Sequence, residues 1–259
     1  MPIILLVLLL LSPLYASTQP FSHAHAHNDY EHDHPLFDAL HYGFTSVEAD
    51  IYLVDGKLLV SHTRPVFKVR TLEQLYLSPL DSMIRGNQGK VYPGYDGLFY
   101  LMIDIKSDGQ ATYTVLKELL AHYPALVHSP NIGGSRPVII FLSGNRPMDI
   151  LKDPAAPVAL DGRPDDVGKG YTAAVMPVIS DNYAKWSAWN GTGQPPPEAL
   201  QRIRELAKRV HAEGKKLRLW AIPDNPVAWT ELLEAGVDLI NTDKLEELNR
   251  FLRESRSKK

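Results

Sequence analysis

Short runs rich in β-branched and aromatic residues alternate with longer stretches of helical periodicity along most of the chain. The β-type runs fall at 21–28, 46–54, 99–105, 137–142, 157–160, 173–179, 216–222 and 238–241. Helical patterns lie between them at 35–42, 111–123, 197–213, 226–235 and 244–255. The clearest, 197–213, begins with Pro197 and stops at Gly214, a start and stop that suit a helix. Eight strands alternating with helices predict an α/β protein of the (β/α)8 barrel class, a single domain over 21–259 with parallel strands inside and helices outside.

Three segments interrupt the alternation. Asp55-Gly56 separates the second strand from the run 58–61, which predicts a β-hairpin extension after strand 2. Of its two registers, a three-residue loop with Gly56 left-handed and a bulge is expected, because it sets Asp50 opposite His62. A two-residue turn would set Ala49 there instead. Residues 84–97, rich in Gly, Asn, Gln and Tyr, read as a long loop. Residues 180–197 carry Tyr183, Trp186 and Trp189 and read as a lid packed on the barrel mouth. The competing role for Trp186 and Trp189 is contact with substrate or peripheral contact with a membrane.

The N-terminus differs from the rest. Ile3 to Leu11 is an unbroken apolar run of nine residues, about half of the ~20 needed to span a bilayer as a helix. Ser12, Pro13 and Ala16-Ser17 follow it, so 1–16 reads as a signal peptide cleaved near Ala16, and the protein as exported, periplasmic or secreted. An uncleaved anchor is the alternative.

Composition narrows the chemistry. With 44% apolar and 22% charged residues, the chain can bury an ordinary core. A net charge of −3 gives no general attraction for nucleic acid, and no partner protein is indicated. There are no cysteines, which excludes disulfides, thiolate metal sites and a cysteine nucleophile. Any metal must be held by oxygen and imidazole.

Glu48 and Asp50 stand two apart in a strand and share a face, with Val47, Ala49 and Ile51 on the other. Two carboxylates inside a barrel are costly unless a cation neutralises them, and hard divalent ions such as Ca2+ or Mg2+ take such ligands. A solvent-facing edge strand is the competing reading. Asp104 weighs against it: with Lys106 it interrupts the apolar strand Leu101-Met-Ile-Asp-Ile-Lys106 near its C-terminal end, where it would complete a triad of anionic ligands. Asn28 offers an amide oxygen as a further ligand. His27 ends the first strand and His62 follows the hairpin, so two imidazoles flank the expected metal and suit general acid–base work. With Lys106 beside the metal to stabilise developing negative charge, a phosphodiester is the matching substrate. His23, His25, His32, His34 and His41 crowd the same region and read as solvated residues; His122, His128 and His211 read as surface residues.

These residues together resemble a known superfamily. His27-Asn28, Gly43, Ser46-Val-Glu-Ala-Asp50, Asp55-Gly56 and Val60-Ser-His62 are similar to the opening motifs of glycerophosphodiester phosphodiesterases and phosphatidylinositol-specific phospholipases C. Ile103-Asp-Ile-Lys106, Leu219-Trp-Ala221 and Gly236-Val-Asp-Leu-Ile-Asn-Thr-Asp243 resemble later strands of the glycerophosphodiesterase barrel. The wording is most similar to the branch that includes the fungal altered-inheritance-of-mitochondria protein 6. The resemblance implies a barrel, one Ca2+ or Mg2+ ion, and His27 and His62 as the acid–base pair, with Glu48, Asp50 and Asp104 as ligands. It also implies attack by a neighbouring substrate hydroxyl, giving a cyclic phosphate, on a small-molecule or lipid phosphodiester. Two departures stand out. His27-Asn28-Asp29 replaces the usual His-Arg-Gly and resembles the His-Asn of eukaryotic phospholipases C, while Asp104 in place of Glu resembles the spider-toxin phospholipase D branch.

Two other readings remain. His25-Ala-His27 at the first strand's end fits an amidohydrolase-like metal hydrolase, which would need further histidine ligands from the middle strands. A non-catalytic lipid- or metabolite-binding barrel would need none of this chemistry.

Overall fold

The computed structural model describes residues 20–66, 69–127, 136–153 and 155–257. The expected signal segment 1–16 and His128 lie outside the described residues.

Eight barrel strands form at or near the predicted runs, except that the run 173–179 is strand only in its last two residues and the strand there continues to Asn182. They are β1 (Phe21–Ala26), β2 (Phe44–Val54), β4 (Phe99–Ile105), β5 (Val138–Gly144), β6 (Ala159–Gly162), β7 (Val178–Asn182), β8 (Lys216–Trp220) and β9 (Leu239–Thr242), with β3 (Lys57–Val60) as the hairpin return. The order β1-β9-β8-β7-β6-β5-β4-β2-β3, with β1 also paired to β2, closes the eight parallel strands into a barrel. β3 hangs on β2 as the single antiparallel addition among the described strands.

Side-chain alternation separates two cores. Leu101, Ile103 and Ile105 of β4 point outward into the main core beneath the helices. Tyr100 and Met102 point inward, where Phe141, Ala159, Val178 and Leu239 complete an apolar plug in the lower barrel. Above the plug the inward positions turn polar: His25, Glu48, Asp50, Ser143, Asp161, Ser180, Arg218 and Asn241 are all buried. The open, C-terminal end of the barrel therefore holds the chemistry.

The predicted helices are α1 (Phe37–His41), α3 (Gly109–Leu120), α4 (Pro197–Ala212), α5 (Pro226–Glu234) and α6 (Leu245–Ser257). Caps fix their starts. The Asp108 carboxylate accepts from the Ala111 N–H at 2.8 Å, and the Asn225 side chain accepts from Val227 and Ala228 ahead of α5.

The structure corrects the sequence reading of the secondary structure in two further places and agrees with it in a third. Residues 84–97 are not all loop, because α2 (Ser78–Gly86), preceded by a π-helical turn at Glu73–Leu77, extends into them. Its start is announced by a capping box: Thr71 and Gln74 exchange backbone N–H to side-chain hydrogen bonds at 3.1 and 3.2 Å. The hairpin takes the other register, pairing Ile51 with Val60 and Val54 with Lys57 across a two-residue Asp55-Gly56 turn. Both turn residues have positive φ, 48° and 72°, the type I′ geometry that matches strand twist without a bulge. Finally, Trp189 is buried with its indole N–H on the Thr192 carbonyl, and Trp186 is half-buried with its N–H on Asp181. The 180–197 segment turns these rings onto the protein, as a packed lid does.

Candidate active site

Parallel register brings the acids together. Asp50 of β2 is level with Asp104 of β4, which is level with Ser143 of β5. Glu48, one inward position below Asp50, joins them, and oxygens of Glu48, Asp50 and Asp104 lie within 4.8 Å of one another. Asp50 Oδ1 and Asp104 Oδ1 are buried without a hydrogen-bond partner. Burial, then the Glu48 charge, pushes Asp50 up to about 6, and burial likewise raises Asp104. Burial also raises Glu48, but Arg218 and then His25 outweigh it and hold the group at about 2. Crowded carboxylates with unsatisfied oxygens are a donor set that fits a hard divalent cation.

The remaining expected residues surround this cluster. Lys106 Nζ bridges Asp50 and Asp104 at 3.1 and 3.3 Å. Burial lowers its pKa, but Asp104 and Asp50 raise it further, so it stays charged. His27 places Nδ1 2.8 Å from Asp243 and Nε2 3.9 Å from Glu48. Burial pulls His27 down, yet Asp243 and Glu48 together leave it above its ordinary value. His62 Nδ1 lies 3.2 Å from Asp50 Oδ2. The hairpin register opposes this contact, but β3 ends at Val60, and beyond the Ser61 N–H bond to the Asp50 carbonyl the chain is free to turn the imidazole inward. Asn28 sits in the left-handed region at φ 45°, its amide oxygen accepting from Tyr30.

Four contributors were missed. The Tyr30 hydroxyl lies within 3.2 Å of Asn28, Asp50 and His62 at once. Arg218 donates to Glu48 and Asn241 from inside the barrel. Asp243 orients His27. His25, expected to be solvated, is fully buried with Nδ1 2.7 Å from Ser46 Oγ and Nε2 3.6 Å from Glu48. Burial, then Arg218, pushes His25 down to about 4, so it is neutral near pH 7. Its two-residue spacing from His27 was the available signal. By contrast His23, His34 and His41 are exposed, His32 is half-buried on the outer surface, and His122 and His211 lie outside the barrel. Among the described residues no middle strand supplies a histidine to the cluster, so the amidohydrolase donor set is not assembled.

Comparison with known proteins identifies relatives in sequence and in fold. Residues 14–156 match the AIM6-like phosphodiesterase domain, and 216–246 match the glycerophosphoryl diester phosphodiesterase family. Altered inheritance of mitochondria protein 6 from Eremothecium gossypii is 32% identical over 88% of this chain and 68% of its own length. The protein of the same name from Lachancea thermotolerans is 29% identical over 86% and 64%. A crystal structure of a glycerophosphodiester phosphodiesterase from Parabacteroides distasonis superposes with a TM-score of 0.56 at 14% identity, covering 92% of this chain and 99% of that one. That last likeness is one of fold, the closed barrel with its helices. With more than half of its length matched, the chain belongs to the AIM6-like phosphodiesterase domain family.

Proposed function

We propose that this chain is a divalent-cation-dependent phosphodiesterase acting on a glycerophosphodiester or phospholipid-type substrate by two-histidine acid–base catalysis. One observation carries the reading: the buried carboxylates of Glu48 and Asp50 and the half-buried one of Asp104 converge, two of the three with unpartnered oxygens, between the imidazoles of His27 and His62. Glu48, Asp50 and Asp104 would hold the cation, with the Asn28 amide as a neutral ligand beside them. Bound there, Ca2+ or Mg2+ would polarise the phosphoryl group and offset charge developing on its oxygens.

The chain's own groups supply the rest. Asp243 fixes the His27 ring with Nε2 turned into the site. Asp50 and Tyr30 hold His62 from its other side. One imidazole takes the proton of the attacking hydroxyl and the other returns a proton to the leaving oxygen. Lys106 adds a fixed positive charge near the phosphoryl oxygens. When the attacking hydroxyl belongs to the substrate, the product is a cyclic phosphate; when it belongs to water, the product is an open phosphomonoester.

The test is turnover of bis(p-nitrophenyl) phosphate, glycerophosphodiesters and lysophospholipids with added Ca2+ or Mg2+, with and without chelator. Activity should vanish with chelator, return with metal, and fall ~10²–10⁴-fold in His27→Ala. Turnover that survives both chelation and His27→Ala would refute the assignment.

A further inference from the structure

Opposite the histidines, the barrel mouth carries a second polar construction that the proposed chemistry does not use. Arg146 follows β5 and Arg163 follows β6, and each immediately precedes a proline, Pro147 and Pro164. A following proline confines its predecessor to extended backbone, and Arg163 indeed has φ −126° and ψ 161°. Both side chains are thus launched from restrained positions.

They converge on Asp161. The Asp161 carboxylate is completely buried and fully engaged: Oδ1 accepts from Ser180 Oγ at 2.6 Å, and Oδ2 from Ser143 Oγ at 2.9 Å and Arg163 Nη1 at 2.7 Å. The Asp161 backbone carbonyl accepts from Arg163 Nη1 at 3.3 Å and also from Arg146 Nη1. Two guanidinium groups therefore share one carbonyl. Arg146 has no close carboxylate of its own. Asp166 lies 3.9 Å away and is also committed to Lys169 Nζ at 3.2 Å and to the Arg163 N–H at 2.9 Å. The remaining N–H groups of Arg146 find no partner among the described residues. Burial, then the Arg163 charge, pushes the Arg146 pKa down, as expected for a cation in want of an anion.

The location decides what anion fits. Around the barrel the strands run β1, β2, β4, β5, β6, β7, β8, β9, so β6 stands four strands from β1 in either direction. Arg163 is across the mouth from His27. It is nevertheless joined to the acid cluster, since its Nη2 lies 3.3 Å from Oγ of Ser143, the register partner of Asp104. A substrate whose reacting phosphorus sits between the histidines and the acids would reach the arginines with a group beyond the leaving oxygen.

We propose that Arg146 and Arg163, braced by Asp161, form an anion subsite that binds a phosphomonoester carried by the alcohol portion of the substrate. The inference rests on the phosphodiesterase reading and extends it to a substrate class: diesters bearing a second, terminal phosphate. Asp161 offsets the charge of Arg163, so Arg146 supplies the uncompensated positive charge, and the remaining forked N–H donors suit a group that carries about −1.5 to −2 at neutral pH.

The subsite is tested first without turnover. The metal-free full-length chain is titrated calorimetrically with inorganic phosphate. Wild type should bind it, and Arg146→Gln should bind about tenfold or more weakly, as expected for losing charge-assisted hydrogen bonds. Arg146→Lys keeps the charge and should retain most of the binding, which separates loss of the ligand contact from loss of folding. Equal binding by wild type and Arg146→Gln, or no binding by wild type, overturns the proposal. The second arm compares kcat/KM for glycerophosphoglycerol with that for its terminal phosphomonoester. Wild type should prefer the phosphorylated diester, and the ratio should collapse toward one in Arg146→Gln. A wild-type ratio near one also overturns the subsite. If neither diester is turned over in the presence of metal, the phosphodiesterase reading fails, and the phosphate titration decides the subsite independently.

Discussion

Nδ1 of His27 lies 2.8 Å from Oδ1 of Asp243, while Nε2 of the same ring lies 3.9 Å from Oε2 of Glu48. A carboxylate on one ring nitrogen fixes the tautomer and the orientation of the other. Burial and the Arg218 charge lower the His27 pKa, Asp243 and Glu48 raise it, and Asp243 is the first of the two that raise it.

Replacing Asp243 should therefore move the titration of His27 downward. In Asp243→Asn the ring keeps a neutral hydrogen-bond partner but loses the charge, leaving burial to dominate. The limb of the pH–rate profile that reports His27 should shift to lower pH, and kcat/KM near neutrality should fall by about tenfold or more. Asp243 has a largely exposed side chain, so thermal unfolding should change little. A reduced rate with an unshifted pH profile would assign Asp243 to something other than His27.

Asp104 makes the opposite case, a residue whose removal should help the fold and harm the site. Without a cation its charge is crowded by Asp50 and Glu48, and burial compounds the cost. Asp104→Asn should be as stable as the wild type or more so in chelator. Added Ca2+ or Mg2+ should raise the wild-type Tm, by an amount equivalent to ~2.7 kcal/mol at a hundredfold excess over Kd, and the variant should lose most of that gain. A metal-induced Tm shift of equal size in both proteins would remove Asp104 from the ligand set.

The legible part of this site was the part written as interruptions of apolar strands. Asp104 and Lys106 stand out in β4 for that reason, and parity put Glu48 and Asp50 on one face. The same test applied to Leu217-Arg-Leu219 would have found Arg218, and applied to Ala159-Leu-Asp161 would have found Asp161. His25 was hidden by its neighbours: His23, His25 and His27 share one parity along the first strand, so the two-residue period does not separate the buried ring from the exposed one, and only depth in the barrel does. The hairpin register misled because it was chosen to serve the site. Asp55-Gly56 favours a two-residue turn on backbone grounds alone, and His62 reaches Asp50 from beyond the ladder, where register has no hold. Tyr30 lies in a single 3-10 turn, Asp29–Glu31, and Asp243 just past β9, in connections whose paths local pattern does not determine.

Burial also makes one loop carboxyl pH-sensitive. Asp29 Oδ2 accepts from the Leu36 N–H at 2.6 Å and from the Tyr76 hydroxyl at 2.9 Å, but Oδ1 is buried and unpartnered. Burial pushes the group up to about 7, against ~3.9 in an unfolded chain. The native state then binds the extra proton, so the stabilisation is full below about pH 4 and is lost as pH rises toward and through 7, by up to ~4 kcal/mol. Asp29→Asn does not titrate. Its stability relative to wild type, measured by chemical denaturation, should increase between pH 4.5 and 8. A constant difference across that range would place the Asp29 titration elsewhere.

The last residue of β5 shapes the acid cluster through the space it leaves empty. Gly144 has φ +65°, and a Cβ built on it would lie 2.1 Å from Asp104 Oδ1 and 2.5 Å from the Ile105 carbonyl oxygen. Gly144→Ala must therefore both strain the backbone and displace the carboxylate. Gly168 has φ +91° with nothing within 4 Å of the same built atom, so Gly168→Ala carries the backbone strain alone. Both variants should lose ~1–2 kcal/mol of stability from the left-handed conformation. Only Gly144→Ala should also bind Ca2+ or Mg2+ more weakly in calorimetric titration. If the two variants bind metal alike, the close approach of Gly144 does not set the position of Asp104, and the cluster tolerates movement that its packing argues against.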